Sequence, residues 1–254
     1  MAQIIAVVNQ KGGVGKTTTA VNLAAALKIA GKKVLLCDFD PQANATSGFG
    51  VEKNKTTASV YDVIVGSVEA RDAVVHTPYG DLLPSAAALS GAGVELVGME
   101  NREFILKNAL ESIREEYDYI FIDCPPSLEM LTLNALCAAE SILIPVQCEY
   151  YALEGLSDLM NTLRGVKARL NPRLSIYGVV LTMYDGRLNL SAQVAEEVRR
   201  HFPGKVFVSV IPRNVRLSEA PSYGQPVTAY DKYSRGAESY RNLAAECIRK
   251  EGRL

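Results

Sequence analysis

Apolar residues fall into two alternating patterns along the chain. Short, nearly continuous runs occur at Ile4-Ile5-Ala6-Val7-Val8, Val34-Leu35-Leu36-Cys37, Tyr119-Ile120-Phe121-Ile122, Ile142-Leu143-Ile144-Pro145-Val146, Ile176 to Thr182 and Val206 to Ile211. A strand with one wet face alternates apolar and polar residues, whereas runs of this kind suit central strands of a parallel sheet covered on both faces. Between them, Thr17 to Ala30, Arg102 to Glu116, Leu128 to Ala139, Leu153 to Leu170, Ser191 to Phe202 and Ala237 to Lys250 carry apolar residues at helical spacing. Strand and helix therefore alternate, which predicts an α/β fold: a doubly wound, mostly parallel sheet flanked by helices. The longest irregular piece, Pro41 to Thr57, follows the second strand, and loops of that length are often functional.

Size changes this picture little. A chain of 254 residues with 48% hydrophobic content suits one domain, residues 1–254, and is too short for two of ordinary size. No run of about 18 apolar residues and no basic-then-apolar leader is present, so a cytoplasmic protein is expected. The last helix places Tyr240, Leu243, Ala244, Cys247 and Ile248 on one face without Trp or Phe, the pattern of a helix packed on the sheet and not of a membrane anchor. Five scattered cysteines and two histidines contain no C-x-x-C pair, which argues against a zinc or iron–sulfur site within one chain.

Charge adds an asymmetry. The net value is −1, but Arg164 to Arg216 holds ten Lys/Arg against Asp185, Glu196 and Glu197, a balance of +7 that the remainder offsets with −8. Such a division suits a basic face for an anionic partner, and equally suits scattered helix charge. Composition alone leaves both open.

Chemistry concentrates at Asn9 to Thr18, NQKGGVGKTT. The phosphate-loop pattern is G-x-x-x-x-G-K-[ST] between a strand and a helix, and here Gly15-Lys16-Thr17 fit while Gln10 stands where the first glycine belongs. Backbone N–H groups from Gly12, Gly13, Val14 and Gly15 to Lys16, Thr17 and Thr18 can converge on phosphate oxygens, helped by the helix N-terminus. In this chemistry Lys16 meets the β- and γ-phosphates and the Thr17 hydroxyl ligates Mg²⁺. Asp38, Asp40 and Asp123 end strands at the sheet edge where α/β folds bind ligands, although a strand-end aspartate can also simply cap a turn.

Together with this loop, Asp38-Phe39-Asp40-Pro41-Gln42, Ile122-Asp123-Cys124-Pro125-Pro126-Ser127, Glu149-Tyr150-Tyr151-Ala152-Leu153-Glu154-Gly155 and Ile211-Pro212-Arg213-Asn214-Val215-Arg216-Leu217-Ser218-Glu219-Ala220-Pro221 resemble the ParA/Soj chromosome-partitioning ATPases, in the family's order across nearly the whole chain. The resemblance implies a deviant Walker A ATPase using ATP and Mg²⁺, in which two ATP-bound subunits pack face to face. Lys11 is then the signature lysine that reaches the partner's nucleotide, and Gly12 is small because the partner approaches closely. It further implies that Asp40 orients or deprotonates the attacking water, that Asp38 and Asp123 hold the Mg²⁺ shell through water, and that Pro212, Arg213 and Asn214 contact adenine. Arg187 and Arg216 match family positions that contact DNA without sequence preference, which implies a nucleoid-associated protein. A ParB-type partner with a basic tail would stimulate hydrolysis, and no stable membrane association is expected. Competing readings are a MinD-like membrane-cycling cell-division ATPase, a metal-cluster protein with the same loop, and small-molecule ligases of the superfamily.

Overall fold

A computed structural model describes residues 1–149 and 152–251, with residues 152–154 described by backbone alone. Among the described residues there are seven strands: β1 (Gln3–Val7), β2 (Val34–Asp38), β3 (Val75–Thr77), β4 (Gly80–Leu83), β5 (Tyr119–Asp123), β6 (Ser141–Gln147) and β7 (Ser175–Thr182). They form one sheet in the order β3-β4-β2-β5-β1-β6-β7, parallel throughout except for the antiparallel β3–β4 hairpin. This is the doubly wound arrangement that the apolar runs predict.

Both faces of the sheet are dry, which explains the unbroken runs. Ile4, Ala6, Leu35, Cys37, Ile120, Ile122, Ile142 and Ile144 belong to one buried cluster, with Leu106, Leu110, Leu131, Ala135, Leu159 and Val198 from helices over that face. The alternate residues Ile5, Val7, Val34, Leu36, Tyr119, Phe121 and Leu143 belong to the other. There they meet Leu23 and Leu27 of the Lys16–Ile29 helix and Ala237, Tyr240, Leu243, Ala244 and Cys247 of the Arg235–Glu251 helix. The last helix thus spends its apolar face on the core. Fully burying side chains of this kind stabilises by about 1.5–3 kcal/mol each.

Four local features differ from the sequence pattern. Val206 to Ile211 does not form a strand; it meets β7 through the isolated bridge Val179–Val206 and the Ile211 N–H bond to the Leu181 carbonyl (2.8 Å), with a second bridge, Tyr184–Pro212, just beyond it. The Glu246 carboxylate takes the N–H groups of Val208 (2.9 Å) and Ser209 (2.7 Å), so these donors leave the ladder. The β3–β4 hairpin lies in a stretch for which the apolar pattern predicts nothing, because its strands are only three and four residues long. Within Pro41 to Thr57, a short helix spans Asn44–Gly48. Arg102 to Glu116 also divides, with an α-helix over Ile105–Glu111 between two 3₁₀ turns.

Candidate functional site

The glycine loop joins the end of β1 to the N-terminus of the Lys16–Ile29 helix. Gly13 (φ 74°) and Gly15 (φ 87°) adopt left-handed backbone that other residues enter only at a cost. No side chain caps the helix and its first turn carries no acidic residue, so the amide end is left open to an anion. Asn9 anchors the loop's entry: its Nδ2 donates to the Pro145 carbonyl at 2.7 Å and its Oδ1 accepts from the Lys11 N–H at 3.0 Å. From the far side, the Thr182 hydroxyl donates to the Val14 carbonyl at 2.8 Å.

The two lysines diverge. Lys16 is 7% exposed and its Nζ donates to the Lys11 carbonyl at 3.1 Å, within its own loop. Burial lowers its pKa, opposed by Asp123, Cys124 and Asp40. The Lys11 side chain is 33% exposed, and its Nζ lies 4.0 Å from Glu149, on the rim. Glu149 also meets Arg213 at 3.5 Å and accepts from Gln147 Nε2. Gly12 has nothing of its own chain within 4 Å of where a Cβ would stand, so any demand for a small residue there arises outside the chain.

The aspartates meet below this loop. Asp38 and Asp123 are fully buried and paired in register at the ends of β2 and β5. Asp38 Oδ2 accepts from the Thr46 N–H and hydroxyl, both at 2.7 Å, and Oδ1 accepts from the Asp40 N–H at 3.3 Å. The Thr46 hydroxyl accepts from the Ser85 N–H (3.0 Å), and the Ser85 hydroxyl donates to the Asp40 carbonyl (2.7 Å). This closed ring holds Asp40, whose Oδ1 accepts from the Gln42 N–H at 2.9 Å. Burial pushes the Asp38 carboxyl up to about 6, its hydrogen bonds from Thr46 and Asp40 acting against the rise.

Asp123 has neither carboxylate oxygen in a hydrogen bond of good geometry. Burial pushes it well above the usual carboxylate range, Asp38 adds to the rise, and the nearby Thr17 hydroxyl and Lys16 oppose it. Two orphaned oxygens cost free energy unless a partner arrives. Beside Thr17 and Lys16 they fit a divalent cation carried with phosphate. No group of three or more His, Cys, Asp or Glu among the described residues could hold a metal alone, so the phosphates themselves would complete such a site.

Next to the loop lies a cleft of about 500 Å³ lined by Gly15, Thr18, Thr182, Met183, Pro212, Arg213, Asn214 and Tyr240. The turn that the resemblance assigned to adenine therefore stands beside the phosphate loop, and the Asn214 side chain accepts from the Arg216 N–H at 2.9 Å, capping the Val215–Glu219 helix.

Arg187 and Arg216 lie outside this cluster, and each is engaged by acids. Arg187 forks onto Asp185 through Nε (2.9 Å) and Nη2 (2.7 Å), which lowers the Asp185 carboxyl to about 2. Arg216 meets Glu219 at 2.8 Å and Asp231 at 3.3 Å. Sequence reasoning missed Asn9, Thr46, Ser85 and Thr182, and gave Glu149 no role although its motif was noticed. Of that motif, Tyr150 and Tyr151 lie outside the described residues. Asn9 had a signal, since it lies just beyond the first strand at the start of the phosphate loop, but Thr46 and Ser85 are far from Asp40 in any local pattern.

A family profile described as an AAA domain matches residues 2–176. The chain is 57% identical over 97% of its length, and 98% of the relative's, to sporulation initiation inhibitor protein Soj of Bacillus subtilis. It is 51% identical to chromosome partitioning protein ParA of Myxococcus xanthus, covering 99% of this chain and 89% of that one. The chain belongs to the ParA/Soj family of partitioning ATPases. Among solved structures, this ParA/Soj chain is similar to cobyrinic acid a,c-diamide synthase from Mycobacterium smegmatis with bound ADP and magnesium (38% identity, TM-score 0.87, covering 99% of this chain and 96% of that one). No described helix of the ParA/Soj chain is long and apolar enough to cross a membrane.

Proposed function

We propose that this chain is an ATP-driven switch for chromosome or plasmid partitioning: ATP and Mg²⁺ drive a sandwich dimer that binds DNA without sequence preference, and hydrolysis, stimulated by a ParB-type partner, releases it. The observation that carries the reading is the divergence of the two lysines. A phosphate group in the loop faces Lys16, drawn into its own chain, while Lys11 stands on the rim with room over Gly12 for a second subunit. A second cation arriving in trans neutralises charge developing on the transferred phosphoryl group and makes turnover conditional on pairing.

Bound magnesium would supply positive charge that neutralises the phosphate oxygens. Thr17 and Asp123 are the residues that would hold it, with Asp38 behind them. Lys16 binds the β- and γ-phosphates. Asp40, fixed by the Thr46–Ser85 ring, orients the attacking water and takes its proton. The cleft beside Pro212, Arg213 and Asn214 takes the base. Arg187 and Arg216 exchange their acidic partners for DNA phosphates, and the protein is cytoplasmic and nucleoid-associated.

A gel shift on duplex DNA with ATP, ADP or no nucleotide, across salt concentrations, tests the switch. Retention only with ATP is expected, with log K falling against log salt by about 0.9 per phosphate neutralised. Lys11→Ala and Arg187→Glu should each lose the shift, the first by losing the dimer on a sizing column and the second while keeping it. A shift indifferent to nucleotide refutes the proposal. ATP-dependent binding to vesicles in place of DNA would replace it with MinD-like membrane cycling.

A further inference from the structure

Basic residues also gather around two hollows that neither proposed DNA arginine lines. Six of the ten basic residues in the Arg164 to Arg216 stretch, Arg164, Lys167, Arg169, Arg173, Arg199 and Lys205, enter no ion pair among the described residues. Three of them, Arg164, Lys167 and Lys205, rim a groove of about 300 Å³ whose floor includes Ile142, Leu163 and Ile176. A second hollow of about 450 Å³ continues it past Met160 and Arg164 towards Leu156 and Phe202. Among the described residues, neither hollow is lined by an Asp or Glu.

The groove follows one helix. Leu156, Met160, Leu163 and Lys167 recur at i, i+4, i+7 and i+11 of the Ala152–Arg169 helix, a single stripe about 17 Å long at 1.5 Å per residue. Leu156 and Leu163 face the core at 4% and 7% exposure, while Met160 stays partly exposed and can repack against an incoming side chain. The first hollow opens at the starts of β6 and β7, beside Ile142 and Ile176. Thr182, which touches the phosphate loop, is six residues further along β7, about 20 Å at 3.3 Å per residue. The groove is separate from the nucleotide site.

We infer that this groove is a docking site for an acidic amphipathic helix of a partner protein, of roughly three turns. An apolar floor between unpaired cations matches a helix with apolar residues on one stripe and Asp or Glu along its flanks. Duplex DNA offers phosphates on a convex, polar surface and leaves the floor unfilled. A basic activating tail of the ParB type meets repulsion from Arg164, Lys167 and Lys205, so the occupant differs from that activator. The inference stands apart from the nucleotide switch, since no residue of the groove is assigned to ATP, magnesium or DNA.

The test selects displayed peptides of about 16 residues against the intact wild-type chain, then measures the enriched peptides by fluorescence anisotropy. Enrichment of Asp/Glu flanking apolar residues at helical spacing is expected, with affinity falling about tenfold or more in the Lys167→Glu/Lys205→Glu double variant. Met160→Gln should weaken the same peptides while ATP binding and the thermal midpoint stay unchanged. A duplex oligonucleotide and anionic vesicles form the parallel arms. No enrichment, enrichment of basic peptides, peptide binding indifferent to these substitutions, or loss of DNA or vesicle binding in their place would each overturn the inference. Failure here leaves ATP-dependent DNA binding intact, and failure of that switch leaves the peptide result readable.

Discussion

The phosphate-loop end and the exposed arginine rim handle charge in opposite ways. At the loop, Lys16, Asp38, Asp40 and Asp123 are all under 10% exposed, and Asp123 has no hydrogen-bond partner. At the rim, Arg187 is 90% exposed yet holds Asp185 with two hydrogen bonds, and Arg216 meets two acids. Water screens a surface pair so well that its net contribution is small, whereas a buried unpaired carboxylate costs free energy that only a ligand recovers. The buried end thus gains free energy from a ligand; the rim can gain or lose one at little cost, as the proposed reversible DNA contact requires.

The largest expected effect comes from removing Asp40, whose backbone the Thr46–Ser85 ring holds at the buried end. Asp40→Ala should keep ATP binding and slow turnover by about a hundredfold to ten-thousandfold in a phosphate-release assay, trapping the ATP dimer; wild-type turnover would remove Asp40 from the chemistry. Next, Lys16→Ala should weaken ATP by about a hundredfold in equilibrium dialysis, because it leaves buried phosphate charge without its cation. Unchanged affinity would break the assignment of the loop.

Asp123→Asn sharpens the comparison most directly. Removing the unpaired charge should stabilise the nucleotide-free protein by about 1 kcal/mol, a rise of roughly 2–4 °C in a thermal melt, while magnesium-dependent ATP binding is lost. A fall in the melting temperature would mean that the carboxylate is stabilising without a ligand. The smallest effect belongs to the rim. Asp185→Ala frees Arg187 and should strengthen DNA binding only a few-fold at low salt, fading as salt rises. Weaker DNA binding would show that Asp185 orients Arg187 instead of competing for it.

Legibility in the sequence followed the range of the interactions. β1, β2, β5, β6 and β7 were predicted because each is a run of adjacent apolar residues, and the phosphate loop because its glycines, lysine and threonine are consecutive. Val206 to Ile211 looks like a strand for the same reason, but Glu246, 37 residues beyond Ser209, takes the N–H groups of Val208 and Ser209 in its middle. The β3–β4 hairpin is too short for periodicity to register, yet β4 leads to Ser85, which closes the ring around Asp40. Basic residues could be counted along the chain, but whether each one was neutralised depended on neighbours such as Asp231 beside Arg216.

By itself, then, the sequence determined the alternating α/β order, the two dry faces of the sheet, the phosphate loop and the family. These rest on local spacing and on side-chain chemistry carried within a few residues. Only the tertiary structure decided which aspartate lacks a hydrogen-bond partner, where the two lysines point, and which cations beside the Ala152–Arg169 helix stay unpaired among the described residues. Those properties are sums over distant groups brought within a few ångströms, and electrostatic free energy depends on that distance and on burial, neither of which is written in the order of residues.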